Sequence, residues 1–409
     1  MKEKISKNQI VDICFKSSGK PISKNAFITV LTKRTKNGTK IHKALLFALK
    51  DFTPYQGDFI FNHLCRIESP NLPPNDIVFL TLVNFVGCSF AGRFEKIAWS
   101  VAFSFKSVPF AFSLQKFGLR LFRHKTAIVT PALVEEMLRV LTKAMGIVGN
   151  LFEPIALAQV KTGNVTLVNS FVELDNMYFY FHEEAKKNFN LLSRKSKKVI
   201  EDMGKFFSLK FHRMSAGSYN AYAMIDAFFS RLEHLLILLF PFMNYDRIKY
   251  DLVILMNSIW SEKFKTIFDL KTDKVAKDLY DRMISLRARY RNPVSHGNFQ
   301  KDGKSFFSHF PTGAISCHLS CINEDRSQSI LKLDKTAFDK ICKLFDEVDE
   351  YIATGPSKYG FQYARSGLNV SYDEKTLSKY KSASIDDECF KEFVELESKV
   401  ADMNANMDW

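Results

Sequence analysis

From Ser215 onward, apolar residues return every three or four positions, and this periodicity constrains the fold more than any other feature of the chain. Ala221, Ile225, Phe228, Leu232, Leu236 and Leu239 form one stripe, which Pro241 must end because it lacks an amide proton and clashes with the preceding turn. A second helix is predicted from Tyr250 to Phe268. A third runs from Lys274 to Arg291, with Val275, Leu279, Met283, Leu286 and Tyr290 inward. A fourth follows Asp334, buries Phe338, Ile341, Phe345, Val348 and Ile352, and stops at Gly355 and Pro356. Helices with such stripes cannot bury them alone and pack into a bundle.

The third helix ends in RYRNPVSHG, Arg289 to Gly297. Pro293 is expected to push Asn292 out of helical geometry, so the helix should end or kink at Arg291 and Asn292, with Asn292 capping a further turn that Gly297 stops. On an unbroken helix Arg291 and His296 would stand about 140° apart, whereas Asn292 and His296 share a face. Of the nine histidines, only His296 follows an arginine with four to six residues between. Histidine moves protons near neutral pH, and arginine holds charge on phosphate oxygens without losing its own. The pair therefore points to chemistry on a phosphodiester. The plainer alternative is that Arg291 and His296 cap carbonyls and dock on a carboxylate.

The bulk numbers agree with an acidic partner. The chain has 409 residues, a formal charge of +14 and 46% hydrophobic residues, which describes globular material with affinity for polyanions, nucleic acid above all. Seven cysteines scattered from Cys14 to Cys389 argue against a disulfide framework and for a reducing, cytoplasmic setting. The basic N-terminus lacks an apolar core of signal-peptide length, and the greasiest stretch, Ile77 to Gly92, is interrupted by Asn84 and Ser89. It reads as a buried element, and no membrane association is expected.

Before residue 200 the patterns alternate. AFITVLTKR around Ile28 and FAFSLQKFGLRLF, Phe110 to Phe122, read as strands. A helix is signalled from Thr130 as N-cap to about Met145, before Gly146, with Leu133, Met137, Leu138 and Leu141 as its apolar stripe. The expected organisation is an N-terminal α+β domain over 1–199, a helical bundle over 200–355, and a loop with an acidic helix, Ile385 to Met403, over 356–409. That acidic helix is read as a solvated face, with docking on a basic surface as the alternative. The class is mainly α.

The Arg-Asn-x-x-x-His pattern at the end of a bundle helix, with its trailing glycine, resembles the HEPN superfamily, and RNPVSHG looks most like HEPN proteins of bacterial abortive-infection and antiphage systems. The resemblance covers about residues 200–355. It implies a four-to-five-helix bundle, a homodimer with facing motifs, and a metal-independent endoribonuclease that needs no cofactor and leaves 2′,3′-cyclic phosphate and 5′-hydroxyl ends. Arg291, Asn292 and His296 would then be catalytic. Glu233 matches an acidic residue that some members carry on the neighbouring helix, where it would orient Arg291 or His296. Arg287 and Arg289 would hold RNA backbone. By the same resemblance, the N-terminal half would sense or restrain, and a phage-derived or regulatory protein could be its partner. One departure stands out: Asn298 occupies the position where the nucleotidyltransferase-controlled toxins have a modifiable tyrosine, so that mode of control is not expected.

Two other classes remain open: a non-catalytic RNA-binding protein and a dimerising scaffold with a degenerate bundle. Cys317-His318-Leu319-Ser320-Cys321 reads as a strand with both cysteines on its apolar face, not as a metal site.

Overall fold

A computed structural model describes residues 38–67, 75–193, 203–243, 245–246, 249–292, 307–311, 313–316 and 333–408. About 65% of the described residues are helical, with a sheet region in the N-terminal part and a helical region in the C-terminal part, so the class is mainly α. It divides into two compact units, 1–161 together with 397–409, and 162–396.

The first unit contains α1 (Gly38–Ala48), β1 (Phe52–Pro54), β2 (Phe61–Arg66), α2 (Asn75–Leu80, continuing as a π-helical turn, Thr81–Val86), β3 (Phe90–Ala91), β4 (Ile97–Phe105), β5 (Val108–Gln115), β6 (Gly118–His124) and α3 (Pro131–Lys161). The strands form an antiparallel sheet in the order β1-β4-β5-β6-β2, with β3 also on β4. One face of the sheet carries Trp99, Val101, Phe103, Phe105, Phe110, Phe112, Leu119 and Leu121, and these share a core with Leu45 and Leu49 of α1 and Met137, Leu141, Met145, Val148 and Leu151 of α3.

The stretch from Phe110 to Phe122, expected as a single strand, is the β5–β6 hairpin. It turns at Lys116 and Phe117, and Gly118 accepts a φ of +108° that a side chain would oppose. The inward positions change phase at this turn, from Phe110, Phe112 and Leu114 to Leu119 and Leu121, and Phe117 at the tip is 64% exposed. Helix α3 starts as expected, with the Leu133 amide donating to Thr130 Oγ1 at 3.3 Å, but it runs through Gly146 to Lys161. Burial of Met145, Val148 and Leu151 extends it past the glycine. It is long and apolar enough to cross a membrane by length and composition, and here its apolar face packs in the core. The strand expected around Ile28 lies outside the described residues.

The second unit holds β7 (Thr166–Leu167), α4 (Phe171–Ser193), α5 (Met203–Leu239), α6 (Leu252–Asn257), α7 (Trp260–Ile267), α8 (Lys274–Leu286), β8 (Phe307–Phe310), β9 (Gly313–Ser316), α9 (Lys335–Thr354), α10 (Lys358–Arg365), β10 (Val370–Ser371), α11 (Glu374–Ala383) and α12 (Asp387–Asn406), the last of which ends in the first unit. Helices α4 and α5 pack antiparallel: the start of α4 meets the end of α5 where the Ser170 amide donates to His234, and at the other end Phe189 lies so close to Gly217 that a Cβ there would stand 2.9 Å from the ring. This pairing draws α4 into the second unit and puts the boundary at Lys161, not at the 199 expected from the sequence.

The predicted stripes of α5 and α9 are buried throughout, and Phe228 stacks on Phe345 with centroids 3.6 Å apart. Asp334 and Asp273 cap α9 and α8 through the Ala337 and Ala276 amides. Three expectations change. The helix from Tyr250 to Phe268 is two helices, because Ser258 and Ile259 are extended between them. Val275 faces solvent at 59% exposure, and Ala276 takes the inward position. The segment after Pro356, read as loop, forms α10, β10 and α11, with Tyr363, Val370, Tyr372 and Tyr380 in the core. Strand β9 ends at Ser316, and the strand expected over Cys317 to Cys321 lies outside the described residues.

Near its core the second unit also holds a charge. Arg231 of α5 is 3% exposed, donates to Asp175 of α4 at 2.5 Å and to both oxygens of Asp349 of α9 at 2.6 and 2.7 Å, and lies over the Tyr178 ring at 4.5 Å. Burial penalises this guanidinium, but Asp349 and Asp175 outweigh the penalty and raise its pKa.

Candidate active site

Helix α8 does not break at Asn292. It widens first into a π-helical turn, Arg287–Arg291, and the Asn292 amide donates to the Arg287 carbonyl. Asn292 itself stays helical at φ −60° and ψ −43°, so the expectation that Pro293 drives it out of helical geometry is corrected. The adjustment falls one turn earlier, ahead of the residue that cannot donate to a helix.

The widened turn projects Arg287 and Arg291 into a cleft of about 380 Å³. The opposite wall is one face of α5, where Asp226, Phe229, Ser230, Glu233, His234 and Ile237 follow the helical repeat. Trp260 and Lys263 of α7, with Met256 of α6, complete the lining. Asp226, Ser230 and Glu233, at i, i+4 and i+7 of α5, form the polar stripe of this face and line the cleft.

Each charged group has a definite role. Arg291 donates from Nε to Asp226 Oδ1 at 2.7 Å, and both side chains remain partly exposed, at 31% and 52%. Glu233 makes no hydrogen bond to Arg291, and its other expected partner, His296, lies outside the described residues. Glu233 Oε1 accepts from Lys263 Nζ at 3.0 Å and its Oε2 accepts from the Trp260 amide at 3.1 Å, so it caps α7 and neutralises a lysine whose side chain is 2% exposed. Asp226 is the acidic partner that Arg291 finds.

Arg287 is half-buried and lies over the Phe229 ring at 5.9 Å, and its buried Nε has no acceptor among the described residues. Burial, and then the charge of Arg291, push its pKa down, while Glu233 and Asp226 oppose this more weakly. Arg289 is exposed, rests over the Tyr290 ring at 5.5 Å and is not part of the cleft lining. Asn292 is half-buried beside the cleft without lining it, and His296 lies outside the described residues.

His234 was not singled out in the sequence. Its Nε2 accepts from the Ser170 amide at 3.0 Å, which places the ring proton on Nδ1 in the neutral form. Burial and then Lys263 lower its pKa. The signal that could have found it is its place one residue after Glu233 on the polar stripe. Lys263 gave no signal, since a lysine in a short amphipathic helix reads as surface.

No protein-family model matches the chain, and neither does any curated protein or solved structure. Among the described residues there is no group of histidine, cysteine and carboxylate side chains that could hold a metal ion.

Proposed function

We propose that the chain is a metal-independent endoribonuclease of HEPN type, an effector of a bacterial antiphage system that acts as a homodimer in the cytoplasm. The observation that carries the reading is Arg291, held by Asp226 at 2.7 Å on the edge of a cleft with more cations than carboxylates, five residues before His296. Asp226 fixes the guanidinium through Nε and leaves the terminal nitrogens to face a phosphate. In the proposed reaction His296 takes the 2′-hydroxyl proton or protonates the leaving 5′-oxygen, and Arg291 stabilises the pentavalent phosphorus. Asn292, adjacent to the arginine, orients the histidine or a phosphate oxygen. DNA lacks the 2′-hydroxyl and is not cut.

The test is cleavage of a mixed RNA pool in EDTA by wild type, Arg291→Ala and His296→Ala, with analysis of the new ends. Cyclic-phosphate ends that disappear in both folded variants are expected. Equal cleavage by all three proteins would sink the assignment, and RNA binding without cleavage would favour a non-catalytic RNA-binding protein.

A further inference from the structure

The cleft is well supplied with donors and poorly supplied with acceptors. Both of its carboxylates are engaged, Asp226 by Arg291 and Glu233 by Lys263 and the Trp260 amide. Two buried donor atoms of lining residues, Arg287 Nε and Trp260 Nε1, have no acceptor among the described residues. Buried donors normally find one, and two orphans at one cleft mark a shortage of acceptor oxygens among the described residues. The charge balance says the same, since among the described residues Lys263, Arg287 and Arg291 meet Asp226 and Glu233, and Arg287 is the cation without a carboxylate of its own. Phe229 lies beneath its guanidinium, with Cζ 5.9 Å from the ring centroid, a contact that favours the cation over the ring face.

We propose that this cleft is a binding subsite for one nucleotide, with Arg287 as the principal ligand of its phosphate. About 380 Å³ lies at the small end of the roughly 300–1,000 Å³ range of ligand pockets and suits a single nucleotide. Met256, 39% exposed, offers an apolar wall to a base, and its thioether packs favourably on flat aromatic rings. The choice of a nucleotide over other phosphate esters rests on the ribonuclease reading; the anion site itself rests on the donors and charges. The phosphate belongs either to a free nucleotide or to a phosphodiester within RNA, and the two are separable by experiment.

Binding is measured by calorimetry on the full chain with adenosine 5′-monophosphate, inorganic phosphate, and a short 2′-O-methyl oligoribonucleotide that cannot be cleaved through its 2′-oxygen. Arg287→Gln weakens nucleotide binding about tenfold or more, the loss expected for a charge-assisted hydrogen bond. Lys340→Gln, the same charge change at an exposed position of α9 outside the cleft, weakens adenosine monophosphate binding less than about twofold. Ser230→Asp, at an exposed position of α5 facing the cleft, weakens it with Arg287 intact and decides the matter should Arg287→Gln not fold. Arg287-dependent binding of the monophosphate identifies a free-nucleotide site, and Arg287-dependent binding of the oligonucleotide alone identifies a phosphodiester subsite. Equal losses in the Arg287 and Lys340 variants, no loss in either, or no binding of any probe overturns the proposal. Inorganic phosphate binding as tightly as the nucleotide overturns its base-contacting part. Because no arm reads cleavage, an inactive ribonuclease leaves the result untouched.

Discussion

Arg231 and Arg287 both stand against helix α5, and their surroundings are opposites. Arg231 is 3% exposed and answered by two carboxylates from two different helices, so its positive charge is spent on joining α4, α5 and α9. Arg287 is half-buried, rests on a ring, and shares its cleft with a second arginine in place of a carboxylate of its own. In the first arrangement both terminal nitrogens are met by carboxylates and only Nε lacks a partner among the described residues. The second keeps a cation unsatisfied, which costs folding energy unless something outside the chain supplies the anion. Burial by itself therefore says little about whether a charge serves the fold or a ligand; the census of its acceptors says which.

Substitutions can break this contrast, beginning with the Arg231 side. Arg231→Met strands Asp175 and Asp349 and is expected to destabilise the second unit by about 3–5 kcal/mol, read from denaturant melts, whereas a loss below about 1 kcal/mol would make the pair cosmetic. On the open side, Arg291→Ala and His296→Ala are expected to lower RNA cleavage by about 10²- to 10⁴-fold with unchanged circular dichroism. Glu233→Gln tests the middle case, a carboxylate that lines the cleft yet serves the fold. It leaves the buried Lys263 without its anion and should cost about 1.5–3 kcal/mol of stability. A full loss of cleavage with normal stability would return Glu233 to the catalytic role first expected of it.

The pH dependence supplies a finer probe. The folded His234 resists protonation below its ordinary value of 6.5, while the unfolded chain does not. Stability contributed by the neutral ring is thus present above pH 6.5 and falls away as the pH drops below it. Melting temperatures from pH 5 to 8 should show this slope in wild type and not in His234→Gln. The smallest effect is expected from Arg287→Gln, whose stability should stay within about 0.5 kcal/mol of wild type and lean upward, since it relieves the repulsion with Arg291. A large loss there would make Arg287 a second Arg231.

Local signals carried the helical half of the fold into view. Asp273 and Asp334 as caps, Pro241 and Gly355 as stops, and the stripes of α5 and α9 are consequences of backbone chemistry and periodicity that any reader of the chain can follow. What escaped depends on partners distant in sequence. Gly146 looked like a stop because the sheet residues that hold α3 together past it lie on other elements. The α10–β10–α11 segment looked like loop because Tyr363, Tyr372 and Tyr380 become core residues only when α5 and its following turn are beside them. At the site, Arg291 and the polar stripe were legible. The pairing of Arg291 with Asp226 instead of Glu233 was not, since it turns on which carboxylate α7 claims first.

The last helix has a consequence for the order in which the molecule comes into being. Phe390 of α12 is wholly buried with the second unit, whereas the residues after Leu396 belong to the first, where Asn406 meets Lys116 at 2.8 Å and Asp408 meets Lys96. The apolar core of the first unit is drawn from residues between Leu45 and Leu151, so it can form before α12 exists, and the contacts of Asn406 and Asp408 are exposed polar additions to it. The unit that carries Arg287 and Arg291 buries Phe390 and lacks a core residue until α12 has followed. Synthesis therefore supplies the whole sheet core first and the last piece of the helical core more than 200 residues later, the usual vectorial order.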